Sequence, residues 1–273
     1  MDDTDVSDKE RRFKFGANWR RFLEMVDSAR IRTAEESLRN MLPESALQGR
    51  SFVDVGCGSG LFSLAARNLG AKVHSLDYDP QSVECAHVLR ERFCSGDADW
   101  SIERGSALDE SYMRGLGQHD VVYSWGVLHH TGDMWRALEL TGELVSPGGA
   151  LVVSIYNDQG LRSERWKRIK RYYANSPQWR QRLIVWLAFM RIWGPQLARD
   201  FLRGRGLSTW RNYGSDRGMS AWHDLVDWVG GYPFEVAKPE EIFEFFKTRG
   251  FKLQKLKTCG GGIGCNEFLF VRS

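Results

Sequence analysis

The feature that most restricts the fold is an alternation that begins at Ser51. Phe52-Val53-Asp54-Val55 is a short apolar run that ends in glycines, and residues 61–69 follow with helical spacing until Gly70 stops them. Residues 72–76 repeat the strand signal and end at Asp77, after which Pro80 opens a helix to about Phe93. Residues 100–103 and 121–123 supply two more strands. Residues 135–144 supply a helix, closed by Pro147-Gly148-Gly149, and residues 150–156 a fifth strand. Strands that alternate with helices imply a parallel sheet covered on both faces. Right-handed crossovers bring the C-terminal strand ends to one edge, where open α/β sheets bind their ligands.

Residues 158–231 break the rhythm and hold seven of the eleven tryptophans. Pattern returns in a helix over 239–248, with Ile242, Phe243, Phe245 and Phe246, and in strands at 251–256 and 267–271 joined through Gly260-Gly261-Gly262. The expected fold is therefore α/β: a seven-stranded, mostly parallel, doubly wound sheet with an antiparallel closing strand in an edge hairpin. A helical insertion separates the fifth and sixth strands. Three units follow: an N-terminal helical cap (1–48, helical over 13–48), a ligand-binding Rossmann-like domain (49–157 and 238–273), and a substrate-side insertion (158–237).

A chain of 273 residues with 42% hydrophobic content can bury one large core. The net charge of +3 gives no whole-protein reason to expect nucleic acid. The five cysteines (Cys57, Cys85, Cys94, Cys259, Cys265) are odd in number and lack C-x-x-C spacing. Reduced thiols in a cytoplasm are expected, with no metal site. The longest apolar run, residues 183–190, is too short for the about 20 residues a transmembrane helix needs. It reads as a buried helix face, with a surface for apolar substrates as the alternative. From Arg162 to Arg205 there are twelve Lys or Arg against Glu164 and Asp200. Such charges form a solvated helix face, or attract a phosphorylated, carboxylated or nucleic-acid substrate.

The loop Gly56-Cys57-Gly58-Ser59-Gly60 joins a strand to a helix N-terminus. Its glycines let a ligand approach the main chain. A nicotinamide cofactor also suits such a loop. However, the spacing is Gly-x-Gly-x-Gly, not the Gly-x-Gly-x-x-Gly that cradles a pyrophosphate. Asp54, just before the loop, is awkward beside a diphosphate but suits a ligand bearing an ammonium and a sulfonium. Asp77, 17 residues after Gly60, can accept ribose hydroxyls or cap the turn at Asp79-Pro80.

Five segments in order, VDVGCGSG, SLDYDP, GSALDE, DVVYSWGVLHHT and SPGGALVVSIYN, resemble the motifs of class I S-adenosylmethionine-dependent methyltransferases, of the small-molecule type similar to the quinone-biosynthesis enzymes. The resemblance covers residues 51–157 and, more weakly, 238–272. It implies S-adenosylmethionine as cofactor. Asp54, Gly56, Cys57, Gly58 and Gly60 would surround its methionine part, Asp77 its ribose, and Tyr78, Ser106 and Ala107 its adenine. Many relatives carry an acid at the position of Ser106, for which Asp109 could substitute. Trp125 would lie under the methionine segment. Residues 13–19, ending in Trp19, would fold over the cofactor or simply dock their helix on the sheet.

Methyl transfer from a sulfonium is an in-line displacement, and a hydroxyl acceptor needs a base to take its proton. His129 and His130 follow the fourth strand, so either could serve. Their alternative is packing at a helix N-terminus. Tyr156 and Asn157 end the fifth strand and could orient the acceptor or satisfy a turn. In the insertion, His223 with Asp224 could relay a proton, Arg217 could grip an acidic group, and Asp227 is a further candidate. The sequence thus points to methyl transfer to the hydroxyl oxygen of a small-molecule acceptor, one that can carry an acidic group. N-methylation and tRNA methylation on the basic insertion are the alternatives, with nucleic acid the less expected partner. Neither acceptor identity nor oligomeric state is written in the sequence.

Overall fold

The computed structural model describes residues 23, 26–43, 46–206, 208–211, 221–262 and 264–273. Asp27 has extended backbone, and its side chain accepts the Arg30 N–H at 2.9 Å, so helix α1 (Ser28–Met41) starts there. The helix expected over 13–48 is therefore interrupted at this cap. The α/β body follows: β1 (Ser51–Val55), α2 (Leu61–Asn68), β2 (Lys72–Asp77), α3 (Pro80–Cys94), β3 (Trp100–Arg104), α4 (Glu110–Gly115), β4 (His119–Trp125), a short tight turn of helix at Leu128–His130, α5 (Met134–Glu143) and β5 (Val145–Tyr156). The insertion contributes α6 (Leu161–Ala174), α7 (Gln178–Ile192), α8 (Gly194–Leu202), α9 (Ser208–Arg211) and α10 (Ala221–Gly230). The chain then forms α11 (Pro239–Lys247), β6 (Phe251–Lys257) and β7 (Cys265–Arg272).

The seven strands lie in the order β3-β2-β1-β4-β5-β7-β6. Strands β1 to β5 are parallel to one another, and β7 is antiparallel to both β5 and β6. The edge of the closing hairpin is β6, and β7 is threaded inside it. Strand order reverses between β1 and β4, which opens a crevice at their C-terminal ends. Two boundaries differ from expectation. β5 starts at Val145, because Pro147-Gly148-Gly149 forms a bulge within the strand, with a register shift opposite His119 and Val121. Helix α4 has only six residues, too few to show a periodic signal; its cap Asp109 accepts the Tyr112 N–H.

Strand parity sorts the core. Val53, Val55, Val122, Leu151, Val153, Ile155, Phe268 and Phe270 face α5 and α11, packing with Leu138, Ile242 and Phe246. Their alternates Phe52, Val121, Tyr123, Val152 and Leu269 face α1 and α2, packing with Leu38, Leu61 and Leu64. Asp54 shares the parity of Phe52, so its carboxylate points at α2. The insertion has its own cluster, with Tyr173, Val185, Ala188, Leu225 and Val229 buried against Trp166, Trp193 and Trp228.

Candidate active site

The glycine loop folds as the strand-to-helix turn requires. Gly56, Gly58 and Gly60 have φ of 80°, 54° and 80°, in the left-handed region that glycine adopts without strain. Gly56 is also a close approach: a Cβ there would lie 2.3 Å from Cγ1 of Val127. The loop after β4 thus rests directly on the glycine loop and brings His129 and His130 to the same crevice.

Two carboxylates flank the loop. Asp54 is 2% exposed, and Oδ2 accepts the Ser63 hydroxyl of α2 at 2.5 Å. Ser75 of β2 donates to Ser63 at 2.7 Å, and the Trp100 indole N–H of β3 donates to Ser75 at 2.8 Å. This buried relay fixes the carboxylate from behind. Asp77 is held by two amides, Gly58 N–H on Oδ2 and Asp79 N–H on Oδ1, both at 2.9 Å. Burial pushes the Asp54 carboxyl up to about 7, with the Asp77 charge adding and the Ser63 hydrogen bond opposing. Burial likewise pushes Asp77 up to about 6, against the amide hydrogen bonds. Among the described residues, no cationic side chain offsets the burial of either carboxyl. Between them the Cys57 thiol is pushed well up, first by burial and then by both carboxylates. The loop is therefore a pocket of negative potential in want of a cation.

Beyond Asp77, Tyr78 is 47% exposed, with the Arg104 guanidinium 5.7 Å from its ring centre. Ser106 uses its hydroxyl to accept the Leu108 N–H at 3.2 Å, and Ala107 is buried. Asp109 caps α4, its Oδ1 accepting the Tyr112 N–H at 3.0 Å. Trp125 ends β4, paired with Ser154 of β5. Trp19 lies outside the described residues, as do Arg217 and the side chains of His223, Asp224 and Asp227 on α10.

The other candidates converge. The His129 ring is tilted 44° against Tyr156 with ring centres 4.0 Å apart; His130 lies 4.5 Å from His129 and 5.5 Å from Tyr156. Phe234 adds a fourth ring, 5.3 Å from Tyr156. His129 is fully buried, with the Ser154 backbone as its polar neighbour. Burial holds it well below the ordinary imidazole range, with His130 and Lys170 adding. His130 Nδ1 lies 2.7 Å from the Pro233 carbonyl, which can only accept, so the proton is assigned to Nδ1 and the lone pair to Nε2. Burial and the Lys170 ammonium push His130 down to about 3. Asn157 instead serves the strand end: its Oδ1 accepts from Asn266 at 3.0 Å, and its backbone bridges to Ala237.

Lys170 was not expected in the site. It is fully buried on α6, donates to the Trp228 carbonyl, and places its ammonium 4.6 Å from the Phe234 ring centre and 5.7 Å from that of Tyr156. Glu235 ties this region to the histidine turn, accepting the Gly132 and Met134 amides at 3.1 Å while its own N–H donates to the His129 carbonyl. No helix among the described residues is long and apolar enough to cross a membrane, and no group of side chains there could hold a metal ion.

Comparison with known proteins agrees with this geometry. Residues 53–151 match the family model described as a methyltransferase domain. Ubiquinone biosynthesis O-methyltransferases are similar: that of Xanthomonas campestris pv. campestris (strain B100) is 32% identical over 41% of this chain and 45% of the relative. That of Cereibacter sphaeroides (strain ATCC 17025 / ATH 2.4.3) is 30% identical over 45% and 48%. The match spans about half the length of these curated relatives. Magnesium protoporphyrin IX methyltransferase from Synechocystis PCC 6803, solved with SAH bound, shares the fold at a TM-score of 0.59 and 14% identity, covering 99% of this chain and 100% of that one. The strand order and the crevice are those of the Rossmann-like fold that this neighbour shares. Residues 53–151 of the 273 are the part that is similar to a methyltransferase domain.

Proposed function

We propose that this protein transfers a methyl group from S-adenosylmethionine to a hydroxyl oxygen of a small organic acceptor. The observation that carries the reading is the pair of buried carboxylates, Asp54 and Asp77, beside a loop of three left-handed glycines, with raised affinity for protons and no side-chain cation offsetting their burial among the described residues. A ligand with a positively charged end and a ribose fits that cradle. Asp54, Gly56, Cys57, Gly58 and Gly60 would hold the methionine end, Asp77 the ribose, Tyr78, Ser106 and Ala107 the adenine. Trp125 would lie beneath the methyl-bearing segment. When bound, the cofactor supplies an electrophilic methyl carbon on a sulfonium.

The chain's own task is to align an acceptor oxygen and remove its proton. His130 presents its Nε2 lone pair, because Nδ1 is committed to Pro233. The Lys170 ammonium lies in the same ring cluster and favours an ionised acceptor, which lightens the work of a weak base. His129 and Tyr156 wall the site. An acidic phenol fits this charge distribution. Small-molecule O-methylation also agrees with the names of the curated relatives.

Calorimetric titration with S-adenosylmethionine tests the first half; tight NAD binding with none of S-adenosylmethionine would overturn it. Methyl-labelled cofactor incubated with phenols, with and without a carboxylate, tests the second. Labelled ether, formed best from the acidic phenols, is expected. Label appearing only in amines or in tRNA would reject the hydroxyl acceptor.

A further inference from the structure

Helix α7 is apolar on two sides. Val185 and Ala188 face the insertion's own cluster. Trp179, Leu183, Trp186, Leu187 and Met190 recur at i, i+4, i+7, i+8 and i+11, the spacing of a single helix face, and each is between 48% and 62% exposed. The run expected to be a buried face is thus only half buried. The helix that follows, α8, ends on Phe201 and Leu202, 80% and 85% exposed. Isolated apolar residues on a surface need no explanation, but a continuous stripe of this kind marks a contact.

The charge around the stripe identifies the contact. Arg180, Arg182 and Arg191 are exposed on α7, and Arg199, Arg203 and Arg205 are exposed just beyond it. Asp200 is the single acidic residue between Arg165 and Gly206. It is buried, and its carboxylate accepts the Thr209 N–H at 3.1 Å, with Arg205 and Arg203 the cations that act on it, so Arg180, Arg182, Arg191 and Arg199 have no acidic residue of this stretch beside them. We propose that α7 and the end of α8 dock this protein, peripherally, on an anionic phospholipid surface. The apolar stripe would enter the acyl boundary and the arginines would meet the headgroups. Two tryptophans on the exposed face suit that boundary, their rings being apolar with one polar edge. The Arg180 guanidinium already lies 5.0 Å from the Trp179 ring centre, so charge and apolar surface meet at this end of the stripe. A second copy of this chain fits less well, because a two-fold contact would set the same arginines against one another. The proposal goes beyond the methyl-transfer reading and does not depend on it.

Co-sedimentation of the full chain with phosphatidylcholine vesicles, and with vesicles of equal parts phosphatidylcholine and phosphatidylglycerol, tests this. Binding to the mixed vesicles is expected, weak on phosphatidylcholine alone and falling steeply with salt. The W186S/L187S and R182E/R191E variants should each lose at least about tenfold in partitioning. Because these side chains are exposed, thermal melting should be unchanged. Lipid-borne bromine should also quench tryptophan fluorescence in the unaltered chain, a readout that needs no variant. No binding to the mixed vesicles, or binding that both variants leave intact, would overturn the proposal. So would a dimer in solution that the W186S/L187S pair abolishes without any vesicle binding.

Discussion

Ser63 donates its hydroxyl proton to the buried carboxylate of Asp54 across 2.5 Å. Its own oxygen is engaged by Ser75, and that of Ser75 by Trp100, so the donation runs one way along the relay. Ser63→Ala removes the last donor and leaves the acid facing a methyl group. Stability should fall by about 1–3 kcal/mol in denaturant melts, and the Asp54 titration should move above about 7. Unchanged cofactor binding at pH 7 would show that the relay has no bearing on the site.

Asp54 and Asp77 titrate near 7 and 6 against an ordinary 3.8. Their folded-state affinity for protons exceeds the unfolded one, so their contribution to stability is full below about pH 4 and is lost as pH rises through 6 and 7. A cation in the pocket reverses the preference. S-adenosylmethionine should therefore bind more tightly as pH rises from 5.5 to 8, releasing protons, which calorimetry in buffers of different ionisation enthalpy would measure. Asp54→Asn should melt higher than the parent at pH 8 without ligand, yet lose at least about tenfold in cofactor affinity, or about 1.4 kcal/mol.

Gly56→Ala should be among the more damaging single substitutions. The left-handed backbone costs roughly 1–2 kcal/mol with a side chain present, and the methyl would collide with Val127. Val127→Ala removes the collision and leaves the strain. The double variant should regain part of the loss, and a double-mutant cycle of melting data would reveal a coupling of about 0.5–3 kcal/mol. Strict additivity would mean that the two loops do not touch.

His130 is neutral from about pH 4 upward, because burial and Lys170 hold it near 3. With cofactor and acceptor saturating, kcat should show no histidine inflection between pH 5.5 and 8. His130→Gln should lower kcat about 100-fold or more while changing KM little. A normal histidine limb near pH 6.5 would contradict this placement.

Lys170→Met keeps much of the side-chain volume and removes the charge. The His130 titration, followed by NMR of its ring protons, should move upward without reaching 6.5, since burial is the larger cause. The unpaired Trp228 carbonyl should cost about 1–3 kcal/mol in stability. KM for acidic acceptors should rise more than for neutral ones.

What could be read from the sequence was whatever a fixed period or a strand end dictates. The five parallel strands, the acids before and after the glycine loop, and the histidines after β4 all follow from local pattern. The Asp54 relay joins four elements, yet parity alone aims Asp54 and Ser75 at the helix carrying Ser63. Lys170 was hidden among twelve basic residues, but Ser163, Trp166, Lys170 and Tyr173 recur at helical spacing, and three of the four are buried. That stripe was the available signal. Burial of a charge is decided by what packs on it, here α10 and the 232–235 segment, and no local rule reports that. The run 183–190 misled because apolar content does not say how many faces of a helix are covered.

The place of β7 has a bearing on how the molecule is made. On the ribosome, β5 and β6 are synthesised before the strand that must lie between them, so they cannot pair directly without blocking it. Until Cys265–Arg272 emerges, β5 has an unfilled flank carrying the backbone groups of Ala150 to Tyr156. Nascent chains arrested before residue 265 should therefore be the species that chaperones hold and proteases clip, even though every residue of the ligand crevice has already been translated.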